Sequence, residues 1–315
     1  MKLLITGGCG FIGSNIAEYF LENNLFESIT IVDNLSSGFI KNIENLLEKY
    51  TTLSFLEADL KDIEVCRNIT KNIDAICHQA ATGSVPRSIN DPFSYHKNNV
   101  DGFFNLLIAA KENGCKRFVY ASSSSVYGDS ESLPKMEDKI GNVLSPYAAT
   151  KKINEIYANV FHKCYGMEII GLRYFNVFGE RQNPNGEYAA VIPKFIDLVK
   201  NGDSPTIFGD GSFSRDFTYV RNVVHANYLA LTTTNQECFG EIFNIGAGGR
   251  ISINEIFYKI CGIMGKNITP NYHPNRKGDI PHSNASIEKA QRMLGYMPEV
   301  EFEEGLLRTI TWFSA

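Results

Sequence analysis

Among its 315 residues the sequence has no CxxC pair, no run of lysines or arginines, no internal repeat and no apolar stretch long enough to cross a bilayer. Each lack closes off a class of protein. Seven cysteines, scattered without metal-like spacing to histidine, indicate neither a zinc site nor a disulfide framework, and no metal is expected. An odd number of free thiols suits a reducing compartment. A formal net charge of −5 with no basic cluster argues against a nucleic-acid partner, so an anionic ligand would have to be held by local groups. The start, MKLLITGG, has one lysine and too short an apolar run for a signal-peptide core. No membrane association is expected, and the expected location is the cytoplasm.

What is present is ordinary for a globular chain, with 43% apolar and 21% charged residues, which argues against a long disordered tail. The first half alternates continuous apolar runs (KLLIT, SITIVD, LSFLEAD, IDAICHQA, RFVYASS) with helical patterns such as Ile12 to Leu21 and Phe93 to Lys111. Continuously apolar strands are buried on both faces, and alternation with helices predicts a parallel, doubly wound, Rossmann-type α/β sheet. MEIIGLRYFNVFG predicts a sixth strand. Beyond it, glycine, proline and asparagine cluster in GERQNPNGEYAA, NGDSPTIFGDGSFSRD and NITPNYHPNRKGD, separated by helical patterns at Val191 to Lys200 and Ile253 to Met264. This predicts a nucleotide domain over 1–176, to which some later segments return, and a smaller C-terminal α/β lobe over 177–315. The lobe would close a cleft over the carboxyl ends of the strands, where open α/β sheets bind ligands.

TGGCGFIG spaces Gly7, Gly10 and Gly13 three apart, after a strand and at the start of a helix. Those positions suit a tight turn, close approach to a pyrophosphate and close helix–strand packing, and the free helix-start amides supply positive charge. Asp33 ends the second strand, 20 residues beyond Gly13, where it can accept bonds from an adenosine ribose. No arginine or lysine follows in NLSSG to receive a 2′-phosphate, so NAD is expected rather than NADP. Asp59 either meets the adenine edge or caps the helix that follows it.

SPYAATK (145–151) begins with Ser145, a good N-cap, and Pro146, suited to the first helical position. Tyr147 and Lys151 then share a face. Ile153, Ile156, Tyr157, Val160 and Phe161 continue an apolar stripe that Gly166 ends. Tyr147 either packs in that stripe or acts as a base. Lowering a phenol from ~10 to near 7 takes about 4 kcal/mol, which a lysine ammonium and a nicotinamide cation in a partly dry cleft could supply. The strand before, RFVYASSSS, delivers hydroxyls to the same rim as the glycine loop.

TGGCGFIG, the serine cluster, SPYAATK and RYFN together resemble the extended short-chain dehydrogenase/reductase superfamily, and within it the NAD-dependent nucleotide-sugar epimerases. GSVPRS, LRYFNVFG and AAVIPKF are most similar to UDP-N-acetylglucosamine and UDP-N-acetylglucosaminuronate 4-epimerases. The resemblance implies a catalytic triad of Ser123, Tyr147 and Lys151. Tyr147 would take the proton of the sugar 4-hydroxyl while C4 reduces NAD. Lys151 would lower the tyrosine pKa and hold the nicotinamide ribose, and Ser123 would orient the 4-oxygen. The 4-keto sugar would then turn over and be reduced from its other face. Relatives that dehydrate or decarboxylate sugars usually carry acidic residues where this chain has Ser124 and Ser125, so 4,6-dehydration lacks its expected acid. Cys9 stands where this family more often has alanine.

The resemblance also adds Phe11, Ile12, Asn34, Leu60, Ala80, Ala81 and Asn99 to the cofactor set, and Gly83, Ser124 and Val191 to the substrate set. It implies that UDP is held in the second lobe by Asn176, Arg215 and Arg276, with Phe208 against uracil and Asp279 on the uridine ribose. Phe208 reads equally well as core, and either arginine as part of a surface ion pair. In GDIPHS, Ser283 takes a position that walls the C2 substituent and leaves room for an N-acetyl group. Ser84 and Arg87 either face the sugar, with Arg87 on a C6 carboxylate, or belong to a helix start. His78 and His96 are expected to be structural. Family members are commonly dimers through two helices, so a homodimer is expected.

Overall fold

The computed structural model describes residues 1–184, 190–275 and 281–314. The first half runs β1 (Lys2–Thr6), α1 (Phe11–Glu22), β2 (Ser28–Asp33), α2 (Glu44–Lys49), β3 (Leu53–Glu57), α3 (Ile63–Ile69) and β4 (Ala75–His78), then α4 (Val85–Asn90), α5 (Pro92–His96), α6 (Gly102–Glu112), β5 (Arg117–Ser123), α7 (Pro146–Tyr165) and β6 (Glu168–Tyr174). The second half runs β7 (Val177–Phe178), α8 (Val191–Asn201), β8 (Thr206–Phe208), β9 (Ser214–Arg215), β10 (Thr218–Tyr219), α9 (Val220–Thr232) and β11 (Ile242–Ile245). It ends with β12 (Ile251–Ser252), α10 (Ile253–Ile263), β13 (Asn271–His273), β14 (His282–Ser283), α11 (Glu288–Leu294) and α12 (Phe302–Ser314).

Seven strands form one sheet in the order β11-β6-β5-β4-β1-β2-β3, every pair parallel. Its strands are apolar on both faces because both faces are covered. On one side, Ile5, Ile31 and Val119 pack with Ile16, Phe20, Val223 and Ala230 of α1 and α9. On the other, Leu4, Ile76 and Phe118 pack with Phe103, Leu106 and Phe161 of α6 and α7. A separate core of Phe195, Ile207, Phe257, Ile260 and Leu306 fills the lobe.

Strand β11 and helix α9, from the second half, lie in and on the main sheet, while β12, α10 and α12 belong to the lobe, so the chain passes between the two repeatedly. Asp216, fully buried, pins one crossing: its carboxylate accepts the amides of Ala247 at 2.8 Å, Gly248 at 3.0 Å and Ala285 at 3.3 Å. Among the described residues no helix is long and apolar enough to cross a membrane.

Two helices differ from the sequence pattern. The run expected as one helix over Phe93 to Lys111 is α5 and α6 joined by a π segment at Lys97–Asp101. In α7 both ends are as expected: Ser145 accepts the Ala148 amide at 3.1 Å, and Gly166 closes the helix in the left-handed region at φ 66°. Its inward face is only partly the apolar one, however. Lys151, Asn154 and Glu155 are buried with Ala158 and Phe161, whereas Ile156 is 55%, Tyr157 36% and Val160 44% exposed.

Candidate active site

The carboxyl ends of β1, β2 and β4 surround a cavity of about 370 Å³. Gly7, at φ 69°, takes a conformation L side chains rarely adopt, and a Cβ on it would lie 2.6 Å from the Ala80 backbone nitrogen. A Cβ on Gly13 would collide with the Gly7 carbonyl. The loop therefore closes tightly onto both β4 and α1. Helix α1 has Gly10 as N-cap with no capping side chain, so its first amides are left without one, and Gly10, Phe11, Ile12 and Gly13 line the cavity.

Asp33 faces the same space, its carboxylate fixed by the amides of Cys9 at 3.0 Å and Leu35 at 2.9 Å, while burial pushes its carboxyl above the ordinary value. Asn34, Leu60, Ala80 and Ala81 line the cavity with it. Asp59 does too. The cap of α3 is Asp62, which accepts the amides of Glu64 and Val65, and Asp59 instead accepts from Asn34 at 3.1 Å and the Lys61 amide at 2.9 Å. Among the described residues no lysine or arginine lines this cavity. Uncapped helix amides for a pyrophosphate and a carboxylate for a ribose diol fit NAD as a donor set, and the nearby ammonium of Lys61 is already paired with Asp59 at 3.2 Å.

A second cavity of about 580 Å³ shares Ile12, Ala81 and Gly83 with the first and lies between β5, α7 and the lobe. Ser123, Ser124, Tyr147, Lys151, Asn176, Arg215 and Ser283 line it. Asn176, in the left-handed region at φ 27°, donates to the Asp216 carbonyl at 2.9 Å, and Arg215 donates to the carbonyls of Ser214 at 2.9 Å and Pro281 at 3.0 Å. Ser283 pairs with Arg215 across β14 and β9.

Lys151 is 2% exposed, donates to the Ala121 carbonyl at 2.8 Å and lies 6.0 Å from the centre of the Tyr147 ring. Burial pushes it down to about 8. The Tyr147 phenol is pushed above its ordinary value by burial, with the Ser123 hydroxyl pulling the other way. In this arrangement burial outweighs the Ser123 hydroxyl at the phenol, and the lysine ammonium is directed to a carbonyl of β5.

Among the described residues, Arg87, Asn99, Val191 and Phe208 line neither cavity. Ser84 caps α4, accepting the Arg87 amide at 3.3 Å. Asn99 is buried, bonding the Thr82 amide and carbonyl and the Thr150 hydroxyl. Val191 starts α8 and packs on the lobe core, and Phe208 meets His273, with ring centres 6.0 Å apart. Arg276 and Asp279 lie outside the described residues. His78 is buried against Thr6 Oγ1 at 2.8 Å and pushed down to about 3 by burial, and His96 sits beside Asp101 at 3.5 Å.

Sequence reasoning missed Gln79 and Tyr174, which line the second cavity and bond each other at 3.1 Å, with Asn227 joining both. Their signal was adjacency: Gln79 follows His78 in ICHQAA, and Tyr174 stands two before Asn176 in RYFN.

The NAD dependent epimerase/dehydratase family matches residues 3–246 of the chain. A UDP-glucose 4-epimerase of Mycolicibacterium smegmatis is 35% identical over 99% of this chain and 98% of its own. The UDP-N-acetylglucosamine 4-epimerase of Methanobrevibacter ruminantium, solved with UDP-N-acetylmuramic acid, superposes with a TM-score of 0.92 at 40% identity, covering 99% of this chain and 98% of that one. The UDP-glucuronic acid 4-epimerase of Bacillus cereus, solved with UDP-glucuronic acid and NAD, gives a TM-score of 0.91 at 32% identity, covering 100% and 99%.

Gly13→Ala should weaken NAD binding at least about tenfold, because the glycine loop must move for the methyl group to fit. Calorimetric titration with NAD checks this, alongside a circular dichroism spectrum unchanged from the parent.

Proposed function

The chain belongs to the NAD dependent epimerase/dehydratase family, and from that premise we propose that it is a UDP-sugar 4-epimerase acting on UDP-N-acetylglucosamine and UDP-N-acetylgalactosamine. The observation that carries the choice of sugar is Ser283, a small wall lining the same cavity as Ser123, Tyr147 and Lys151. Arg87 lines neither cavity among the described residues, which favours the uncharged N-acetylhexosamine over its uronic acid. A dehydratase would need an acid to protonate the departing hydroxyl, and the cavity offers Ser124 and Ser125 at that place.

We assign NAD to the domain built on residues 1–176 together with β11 and α9, and the UDP-sugar to the cleft it forms with the lobe over 177–315. NAD would be held by the Gly7–Gly13 loop, the amides at the start of α1, Asp33 and Asp59, with Lys151 on the nicotinamide ribose. Bound there, it would supply a reversible two-electron acceptor and a positive ring. Tyr147 takes the proton of the sugar 4-hydroxyl and later returns it. Ser123 holds the 4-oxygen beside the phenol, and Lys151 favours its ionised form. Asn176 and Arg215 face the cavity from the lobe side and suit the pyrophosphate, Arg215 through its planar fork of donors.

We further propose a homodimer through the outward face of α7, supported by the exposed Ile156, Tyr157 and Val160.

Incubating the enzyme with separate UDP-sugars and assigning the product C4 configuration by NMR tests the activity; net NADH formation or carbon dioxide release would replace it with a reductase or decarboxylase. Tyr147→Phe should retain NAD yet lose about 10³-fold in kcat, and a fully active variant would remove Tyr147 from its role. Ser283→Tyr should cost roughly ten- to a hundredfold with UDP-N-acetylgalactosamine while sparing UDP-galactose; equal loss with both would remove the wall. Val160→Glu should convert dimer to monomer in analytical ultracentrifugation, and a parent already monomeric would end the dimer proposal.

A further inference from the structure

Helix α7 carries one acidic side chain that the reaction above does not use. Glu155 lies one helical turn beyond Lys151 and is 2% exposed. Its Oε1 accepts from Ser122 Oγ at 2.7 Å and from Arg173 Nε at 2.8 Å, and its Oε2 accepts from Arg173 Nη2 at 3.0 Å and Lys152 Nζ at 3.3 Å. Ser122 precedes Ser123 on β5, and Arg173 precedes Tyr174 on β6. A single carboxylate therefore ties the helix bearing Tyr147 and Lys151 to the two strands whose ends bear Ser123 and Tyr174. Arg173 is 1% exposed and also donates to the Tyr127 hydroxyl and the Glu137 carbonyl, each at 3.0 Å.

A buried ion pair is generally no more stabilising than apolar residues of the same volume, so stability alone explains it poorly. Its place beside Lys151 suggests another task. Facing that ammonium are Tyr147 on α7, with its ring centre 6.0 Å away, and His78 on β4, whose imidazole feels its charge. Burial pushes His78 down and the Tyr147 phenol up, so both are neutral near pH 7. Glu155 lies one helical turn from Lys151 and takes the hydroxyl of Ser122, the residue next to the carbonyl that seats the ammonium, and its negative charge favours that ammonium.

We propose that Glu155 is a positioning residue for the epimerisation: clamped by Arg173 and Ser122, it provides the counter-charge that keeps the buried Lys151 an ammonium seated on the Ala121 carbonyl. This rests on the assignment of Lys151 to the reaction. Burial pushes Lys151 down against the pull of Glu155, so losing that pull takes it lower still.

The test follows Lys151 directly. In protein labelled with carbon-13 at lysine, the Lys151 resonance is identified by its loss in Lys151→Met and titrated by NMR; in parallel, kcat is measured against pH with UDP-N-acetylglucosamine. In Glu155→Gln the Lys151 midpoint and the alkaline limb of kcat should both fall by about one pH unit or more. Because this variant leaves a buried arginine unmatched, Glu155→Gln/Arg173→Met is made as well. It should recover the parent Tm yet keep the lowered midpoint and limb. A merely structural pair would return both to the parent values, which would overturn the proposal, as would a parent Lys151 titrating like an ordinary lysine. A parent that turns over no UDP-sugar would defeat the proposed activity, while the NMR titration would still decide the part played by Glu155.

Discussion

Taking a lysine ammonium out of water is the constraint from which much of this structure follows. Lys151 is almost wholly buried and has the Ala121 carbonyl as its hydrogen-bond acceptor. A cation so placed needs polar company from its own helix, and α7 supplies it by turning Asn154 and Glu155 toward the sheet. The helix then turns Ile156, Tyr157 and Val160 of its apolar stripe outward, keeping Phe161 in the core. Ile156 and Val160 are exposed because Lys151 and Glu155 are not. The face that lines the second cavity and the proposed contact between subunits are thus two sides of one rotation of α7.

The sheet gives that helix its address. With all neighbouring strands parallel, the chain ends of β1, β2, β4 and β5 open on one rim, where the glycine loop, Asp33 and Ser123 meet. The lobe is fitted to the same rim by Asp216, whose three amide bonds fix the segments on either side of Arg215 and Ser283. Two cavities with shared walls result, one suited to a dinucleotide and one to its reaction partner.

The local signals were the legible part of the sequence. Continuous apolar runs became parallel strands, Ser145 and Gly166 bounded α7, and the spacing of Gly7, Gly10 and Gly13 marked a loop against a helix start. What could not be read was which face of α7 points inward. Amphipathic patterning assumes that the apolar side is the buried one, and a helix holding a charged pair beneath the sheet breaks that assumption. For the same reason Glu155 and Arg173 drew no notice: 18 positions apart, on a helix and a strand, they share no motif until the fold joins them. The bonds of Asn99 to the backbone of Thr82 were equally illegible, since an amide beside a nucleotide loop looks the same in sequence whatever it bonds.

The repeated passage of the chain between sheet and lobe sets a mechanical limit. Strand β11 hydrogen-bonds to β6 in the sheet, while β12, a few residues on, pairs with β9 in the lobe. Two bodies stitched together at several places cannot swing apart on a single hinge. A bound sugar that must offer each of its faces in turn would therefore have to pivot within a slot of nearly constant width, leaving loop movements to admit and discharge it.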